Sequence, residues 1–188
     1  EGDVGAGKTL VACICLLVVI KSGYQGVFMA PTEILAKQHY KNLIKTLQPF
    51  GINIQLLTGS LTKKQKQLVA SGLATKTVDL VVGTHAVIQA GIEFANLGLA
   101  VVDEQHRFGV NQRHDLLNKS KSKESPHFLS MTATPIPRSL ALTIYGDLDI
   151  SQIKEKPAHR KEIITRLVEP KNRTKAYEFI YNHIKKDH

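Results

Sequence analysis

Glu1-Gly2-Asp3-Val4-Gly5-Ala6-Gly7-Lys8-Thr9 runs directly into the apolar stretch Leu10–Ile20. The order Gly-x-x-x-x-Gly-Lys-Thr is that of a loop that wraps phosphate. Glycines let backbone N–H groups turn inward around an anion where side chains would collide. The helix that should follow adds the partial positive charge of its N-terminus. Lys8 is placed to neutralise β- and γ-phosphates, and the Thr9 hydroxyl to join a Mg²⁺ shell. The plain alternative is a glycine-rich turn ahead of a core helix, but the helical apolar run that a phosphate loop requires is present. The whole stretch from Gly2, Asp3, Val4, Gly5, Ala6 and Gly7 to Lys8 and Thr9 is therefore the candidate cofactor-binding loop, and ATP with Mg²⁺ the expected occupant.

Working outward, short apolar runs alternate with longer amphipathic ones. Val27–Ala30, Ile54–Leu57, Leu80–Val82, Leu99–Val102 and His127–Met131 read as buried strands. Glu33–Leu47, Lys63–Ser71 and Pro137–Tyr145 read as helices, the last with proline suitably at its start. Such alternation predicts an α/β fold, a mostly parallel sheet flanked by helices on both faces. The Lys/Ser-rich stretch Asn118–Ser125 reads as a solvated connection. Beyond Asp147 the texture turns polar and basic, with a strand candidate at Ile163–Val168 and a helix candidate at Lys171–Lys186. A boundary is placed near Pro157, dividing the chain into residues 1–156 and 157–188.

The 188 residues carry a net charge of +9, which favours a polyanionic partner. Residues 1–150 hold 15 basic and 11 acidic side chains, and residues 151–188 hold 10 and 5, so the last fifth supplies more than half of the excess. Cys13 and Cys15 lie too close along one element to bridge without distortion, and they read as buried, reduced thiols. Leu10–Ile20 is too short to span a bilayer, and no leader is visible, so no membrane is expected and a cytoplasmic location is.

A phosphate loop needs a second site for metal and attacking water. In the stretch Leu97-Gly98-Leu99-Ala100-Val101-Val102 the apolar strand ends in Asp103-Glu104-Gln105-His106. In parallel sheets, ligands sit at the carboxyl ends of strands, and successive residues leave a strand in different directions. Asp103 can then anchor the metal while Glu104 polarises water. Lys8, Asp103 and Glu104 are the candidate catalytic residues, with Thr9 and Asp103 as metal ligands. Met131-Thr132-Ala133-Thr134-Pro135 follows another strand and brings two hydroxyls to the same edge. Alone, each of these stretches is an ordinary turn; together they describe an ATP site.

GDVGAGKT, APTEILAKQH, LLTGS, VGTHAVIQ, DEQHRFGVNQR and MTATPIPRSLA resemble, in order, the motifs of superfamily 2 DExH helicases. Within that superfamily the match is strongest to the DNA-translocating motors that remodel branched junctions and stalled forks. The motor of the transcription-repair coupling translocases is similar. The resemblance implies a RecA-like P-loop NTPase lobe. It also implies that Pro31, Thr32, Glu33, Gly59, Ser60, Thr84 and His85 face nucleic acid, and that His106, Gln112, Arg113, Thr132 and Thr134 couple the ATP site to that face. Thr32 serves equally as a helix cap, and Arg113 equally as a surface ion-pair partner. Relatives carry a strand ahead of the loop, a second RecA-like lobe with arginines that reach across the cleft, and a DNA-binding wedge. The chain therefore reads as a piece of such a motor, with 157–188 as linker and start of the second lobe. A basic, non-catalytic nucleic-acid-binding module with a relict loop is the reading from another class.

Overall fold

The computed structural model describes residues 1–104, 115–120, 125–133, 148–155 and 165–186. Five strands, β1 (Gln25–Met29), β2 (Ile54–Leu57), β3 (Leu80–Gly83), β4 (Leu97–Asp103) and β5 (His127–Met131), form one sheet in the order β2-β3-β1-β4-β5. Every neighbouring pair is parallel. Parallel strands require crossovers, and helices α1 (Lys8–Lys21), α2 (Glu33–Leu47) and α3 (Lys63–Ala74) accompany them.

The three inner strands β1, β3 and β4 are buried almost throughout because both faces are covered, whereas the edge strand β2 is partly buried and β5, read as buried, is buried only at Met131. Alternate side chains sort into two cores. Phe28, Leu80, Val82, Leu99 and Val101 pack with Ala12, Cys13, Leu16 and Ile20 of α1 and Leu43 and Leu47 of α2. Val27, Met29, Val81, Ala100 and Val102 pack on the other face with Val69 and Leu73 of α3. The parallel α/β sheet expected from the sequence is thus observed.

Boundaries differ where glycine hides a pattern. β4 starts at Leu97, two residues before the predicted strand, because Gly98 is a packing surface: a Cβ there would lie 2.6 Å from that of Tyr24. Likewise α3 continues past Ser71 to Ala74, since the bare face of Gly72 admits Val78, whose Cγ2 would stand 2.6 Å from a Cβ. Cys13 is buried with the sheet-facing residues of α1, and burial pushes its thiol pKa up. Cys15, predicted buried, is only half-buried, because two helical positions turn it about 200° away from Cys13.

The chain divides into two compact units, 1–156 and 157–188. In the second, residues 165–168 carry no strand: they are exposed, and among the described residues no ladder partner pairs with them. A 3₁₀ turn at Pro170–Asn172 leads into helix α4 (Arg173–Lys186), where Phe179 and His183 stack with ring centroids 4.8 Å apart. The predicted helix Pro137–Tyr145 lies outside the described residues. Among the described residues no helix is long and apolar enough to cross a membrane.

Candidate functional site

The opening loop takes the backbone shape that its glycines permit. Gly5 and Gly7 have φ of 82° and 99°, a region that penalises any residue with a Cβ. Gly7 caps α1 without any side-chain hydrogen bond. Helix geometry leaves the first N–H groups of α1 without intrahelical acceptors. A Cβ built on Gly7 meets no atom within 4 Å, so the space ahead of the helix is open. Lys8 folds back over the loop, its Nζ donating to the carbonyl oxygens of Gly2 at 2.7 Å and Asp3 at 2.9 Å. Asp3 stiffens the turn: its carboxylate accepts from Val4 N–H at 2.7 Å and its carbonyl from Ala6 N–H at 3.1 Å.

The loop is tied to the sheet's carboxyl edge. Gly2 N–H donates to Thr132 O at 3.3 Å, one residue beyond β5. β5 in turn pairs with β4 so that Met131 is the register partner of Asp103. Glu104 N–H donates to Met131 O at 2.9 Å, and Glu104 itself has φ 52°. A left-handed non-glycine residue stores about 1–3 kcal/mol of strain and is over-represented where function requires it. Gly2, Thr132, Asp103 and Glu104 are thereby gathered at one end of adjacent strands.

The strand order divides that edge in two. The turns after β2, β3 and β1 carry Gly59 and Ser60, Thr84 and His85, and Pro31, Thr32 and Glu33 respectively. The turns after β4 and β5, with the loop beside them, carry the nucleotide candidates. Each nucleic-acid candidate therefore lies on one half and each described nucleotide candidate on the other.

On the half that carries the nucleic-acid candidates, Thr32 caps α2 by accepting from Leu35 N–H at 3.3 Å. Glu33 takes the Ser60 N–H at 2.9 Å, and Lys66 Nζ donates to Gly59 O at 2.9 Å. Hydrogen bonds from the Ser60 hydroxyl, then from its N–H, hold the Glu33 carboxyl below its ordinary pKa, outweighing desolvation. Thr84 N–H donates to Leu57 O at 3.3 Å, which joins the β2 and β3 ends. His106, Gln112, Arg113 and Thr134 lie outside the described residues.

One residue at the junction was missed in the sequence. His39 Nε2 lies 2.9 Å from Asp103 Oδ2, with the two side chains only 12% and 14% exposed. The signal was available: His39 stands between Ala36 and Leu43 at i+3 and i+7, on the inward face of α2. A polar group on such a face requires a partner. Gln25 was missed for the same reason; it is wholly buried in β1 among backbone groups that it bonds.

A parallel sheet with a phosphate-shaped loop and an Asp-Glu turn at one edge defines a P-loop NTPase lobe, and the chain belongs to the DEAD/DEAH box helicase family, whose sequence model matches residues 1–143. Its fold is that of the RecA-like helicase lobe. The chain is 53% identical over 186 residues to the ATP-dependent DNA helicase RecG of Aquifex aeolicus, a match covering 99% of this chain and 23% of that protein. To RecG of Borreliella burgdorferi it is 50% identical over 188 residues, covering 100% and 27%. A solved structure of RecG bound to a three-way DNA junction superposes with TM-score 0.81 at 44% identity, covering 98% of this chain and 24% of the other. The chain thus spans about a quarter of the length of the curated relatives it matches.

Proposed function

We propose that these residues are the ATP-binding lobe of a DNA helicase that couples ATP hydrolysis to translocation on, and remodelling of, branched DNA in repair and recombination. The observation that carries this reading is the divided carboxyl edge. The turns with Pro31, Thr32 and Glu33, with Gly59 and Ser60, and with Thr84 and His85 occupy one half, and Asp103, Glu104 and Thr132, with the loop tied to Thr132 through Gly2, occupy the other. Contacts of the first kind position a nucleic acid without reading its sequence. The resemblance to RecG supports DNA junctions or forks as the partner, and the cytoplasm as the location. Residues 1–156 are read as the first lobe, and 157–188 as linker and beginning of a second, whose arginines complete the cleft.

In this mechanism the N–H groups of Gly5 and Gly7 and of the first turn of α1 would face the nucleotide phosphates, while those of Gly2, Val4 and Ala6 stay bonded within the protein and hold the loop in shape. Lys8 exchanges the Gly2 and Asp3 carbonyls for phosphate oxygens, so the ammonium is solvated by the protein until the nucleotide arrives. Mg²⁺ supplies charge neutralisation at the terminal phosphates. The chemistry of the donors fits it: Asp103 offers a hard carboxylate oxygen, Oδ1, beside the oxygen that His39 engages, and Thr9 a hydroxyl. Mg²⁺ is ordinarily held by one or two carboxylates, waters and substrate phosphates; here Asp103 and the Thr9 hydroxyl would hold it. Glu104 accepts the proton of the attacking water. His106, Gln112, Arg113, Thr132 and Thr134 are assigned to coupling.

The decisive experiment is nucleotide titration of Lys8→Ala in the intact protein. Removing a charged donor worth about 1.5–3 kcal/mol should weaken Mg-ATP roughly 10–100-fold. Unchanged affinity in a folded variant would overturn the loop assignment, and with it the proposed function.

A further inference from the structure

Asp103 is the last residue of β4, and nothing in its own strand settles which way its carboxylate turns. The settling contact comes from α2. His39 Nε2 meets Asp103 Oδ2 at 2.9 Å, in a place where neither side chain has much access to water. The imidazole is itself held. Its ring lies against that of Phe28, centroids 4.6 Å apart and planes 41° inclined, and Phe28 is fully buried in β1. Its helix neighbours Ala36 and Leu43 are buried as well.

The hydrogen-bonding inventory assigns the tautomer. His39 Nδ1 is buried and has no hydrogen-bond partner. A proton on Nδ1 would be an unsatisfied buried donor, whereas a proton on Nε2 has the carboxylate to receive it. His39 therefore donates from Nε2 to Asp103 Oδ2. One carboxylate oxygen is engaged, and Oδ1 is left for another ligand.

We propose that His39 is a positioning residue that locks the Asp103 carboxylate for the divalent cation that accompanies the nucleotide. The proposal rests on the reading of Asp103 as the metal-anchoring carboxylate. A carboxylate already fixed by a buried donor loses no rotamer freedom when the cation arrives, and such outer partners orient ligands throughout metal sites. The contact with the buried Phe28 ring makes the imidazole a rigid support, and the orphaned Nδ1 shows that the ring is not oriented by any second bond.

The test uses the intact protein and three variants. His39→Met keeps the bulk against Phe28 and removes the donor, His39→Gln keeps a donor amide at similar reach, and Asp103→Asn probes the underlying reading. Nucleotide affinity is titrated in EDTA and across Mg²⁺ concentrations, and Mn²⁺ binding with nucleotide is followed by electron paramagnetic resonance. With H39M, affinity in EDTA should match wild type while the Mg²⁺ concentration for half-maximal effect rises about 10–100-fold. H39Q should recover most of that loss, and D103N should lose the Mg²⁺ dependence more fully than either. If D103N loses it and H39M behaves as wild type, the positioning role is wrong and the reading of Asp103 survives. Equal losses in H39M and H39Q would mean that shape rather than the donor matters, which also overturns the proposal. A D103N protein with wild-type Mg²⁺ dependence would remove both.

Discussion

Gln25→Met tests whether the inner strand is held by packing alone or by a polar clamp. Gln25 is wholly buried, and its Nε2 donates to Leu73 O at 2.9 Å and Val78 O at 2.7 Å. Its Oε1 accepts from Asn96 N–H at 3.0 Å. One amide therefore joins the end of α3, the approach to β3 and the approach to β4. Methionine has nearly the same length and volume, so no cavity opens. The three backbone groups do not suffer equally. Leu73 O keeps the N–H groups of Ala95 at 3.2 Å and Lys76 at 3.3 Å, whereas Val78 O and Asn96 N–H lose the partner described here. An orphaned buried carbonyl at Val78 and an orphaned half-buried N–H at Asn96 cost about 1–3 kcal/mol each, Asn96 toward the lower end. Burying a thioether in place of an amide returns about 1 kcal/mol. The net loss is about 3 kcal/mol, which in a chain of this size lowers Tm by roughly 6–12 °C. Thermal unfolding followed by circular dichroism reads this directly, with urea unfolding to check that the m-value is unchanged. Gln25→Glu should be worse than Met at pH 7, because a carboxylate would face two carbonyls with no proton to give. A Gln25→Met protein melting within 2 °C of wild type, or the reverse order of the two variants, would refute the clamp.

Two further outcomes concern the carboxyl edge. Glu104→Gln should bind nucleotide within a few-fold of wild type and lose about 10²–10⁴-fold in hydrolysis; single-turnover kinetics decide it, and hydrolysis at the wild-type rate would remove Glu104 from the chemistry. The Glu33 clasp on Ser60 should persist well into acid, because its folded pKa is depressed by the Ser60 hydroxyl and then by the Ser60 N–H. Its contribution is fully present above the unfolded-state value near about 4.3 and is lost as pH falls through the lower folded value. The Ser60 amide resonance followed against pH should shift with a midpoint below that figure, and a midpoint at or above it would contradict the bond.

Much of this was legible because it is local. Glu33–Leu47 announces itself by the spacing of its apolar side chains and by the Thr32 cap, and the helix forms over those residues. Ile54–Leu57 and His127–Met131 are apolar runs between turn residues, and they are strands. The bend of the opening loop is legible for the same reason, since the positive φ of Gly5 and Gly7 is set by the glycines themselves. What could not be read is long-range. That β1 lies between β3 and β4 depends on crossovers, so the division of the carboxyl edge is invisible in the linear order. His39 and Asp103 are 64 positions apart, and a histidine in a helix looks alike whether it meets water or a carboxylate. The predicted strand and helix stop one residue short of Gly98 and Gly72, whose bare faces admit Tyr24 and Val78, contacts that no local pattern shows.

The position of α2 gives the divided edge its mechanical sense. Its first residue, Glu33, holds the Ser60 N–H on the half assigned to nucleic acid. Six residues later, about 9 Å along the axis at 1.5 Å per residue, His39 holds Asp103 on the half assigned to nucleotide. Between these contacts the helix is packed through Ala36, and Leu43 and Leu47 anchor it beyond them. A close-packed helix moves as a body rather than stretching. Displacement at the Glu33 end must therefore be absorbed either at the Ser60 contact or at the His39–Asp103 contact. A ligand bound to either half can bias the other only by preferring one placement of the helix, and that preference is reciprocal. Coupling between the two proposed half-sites would need no chain of residues through the core, because the contacts at Glu33 and His39 lie on one helix.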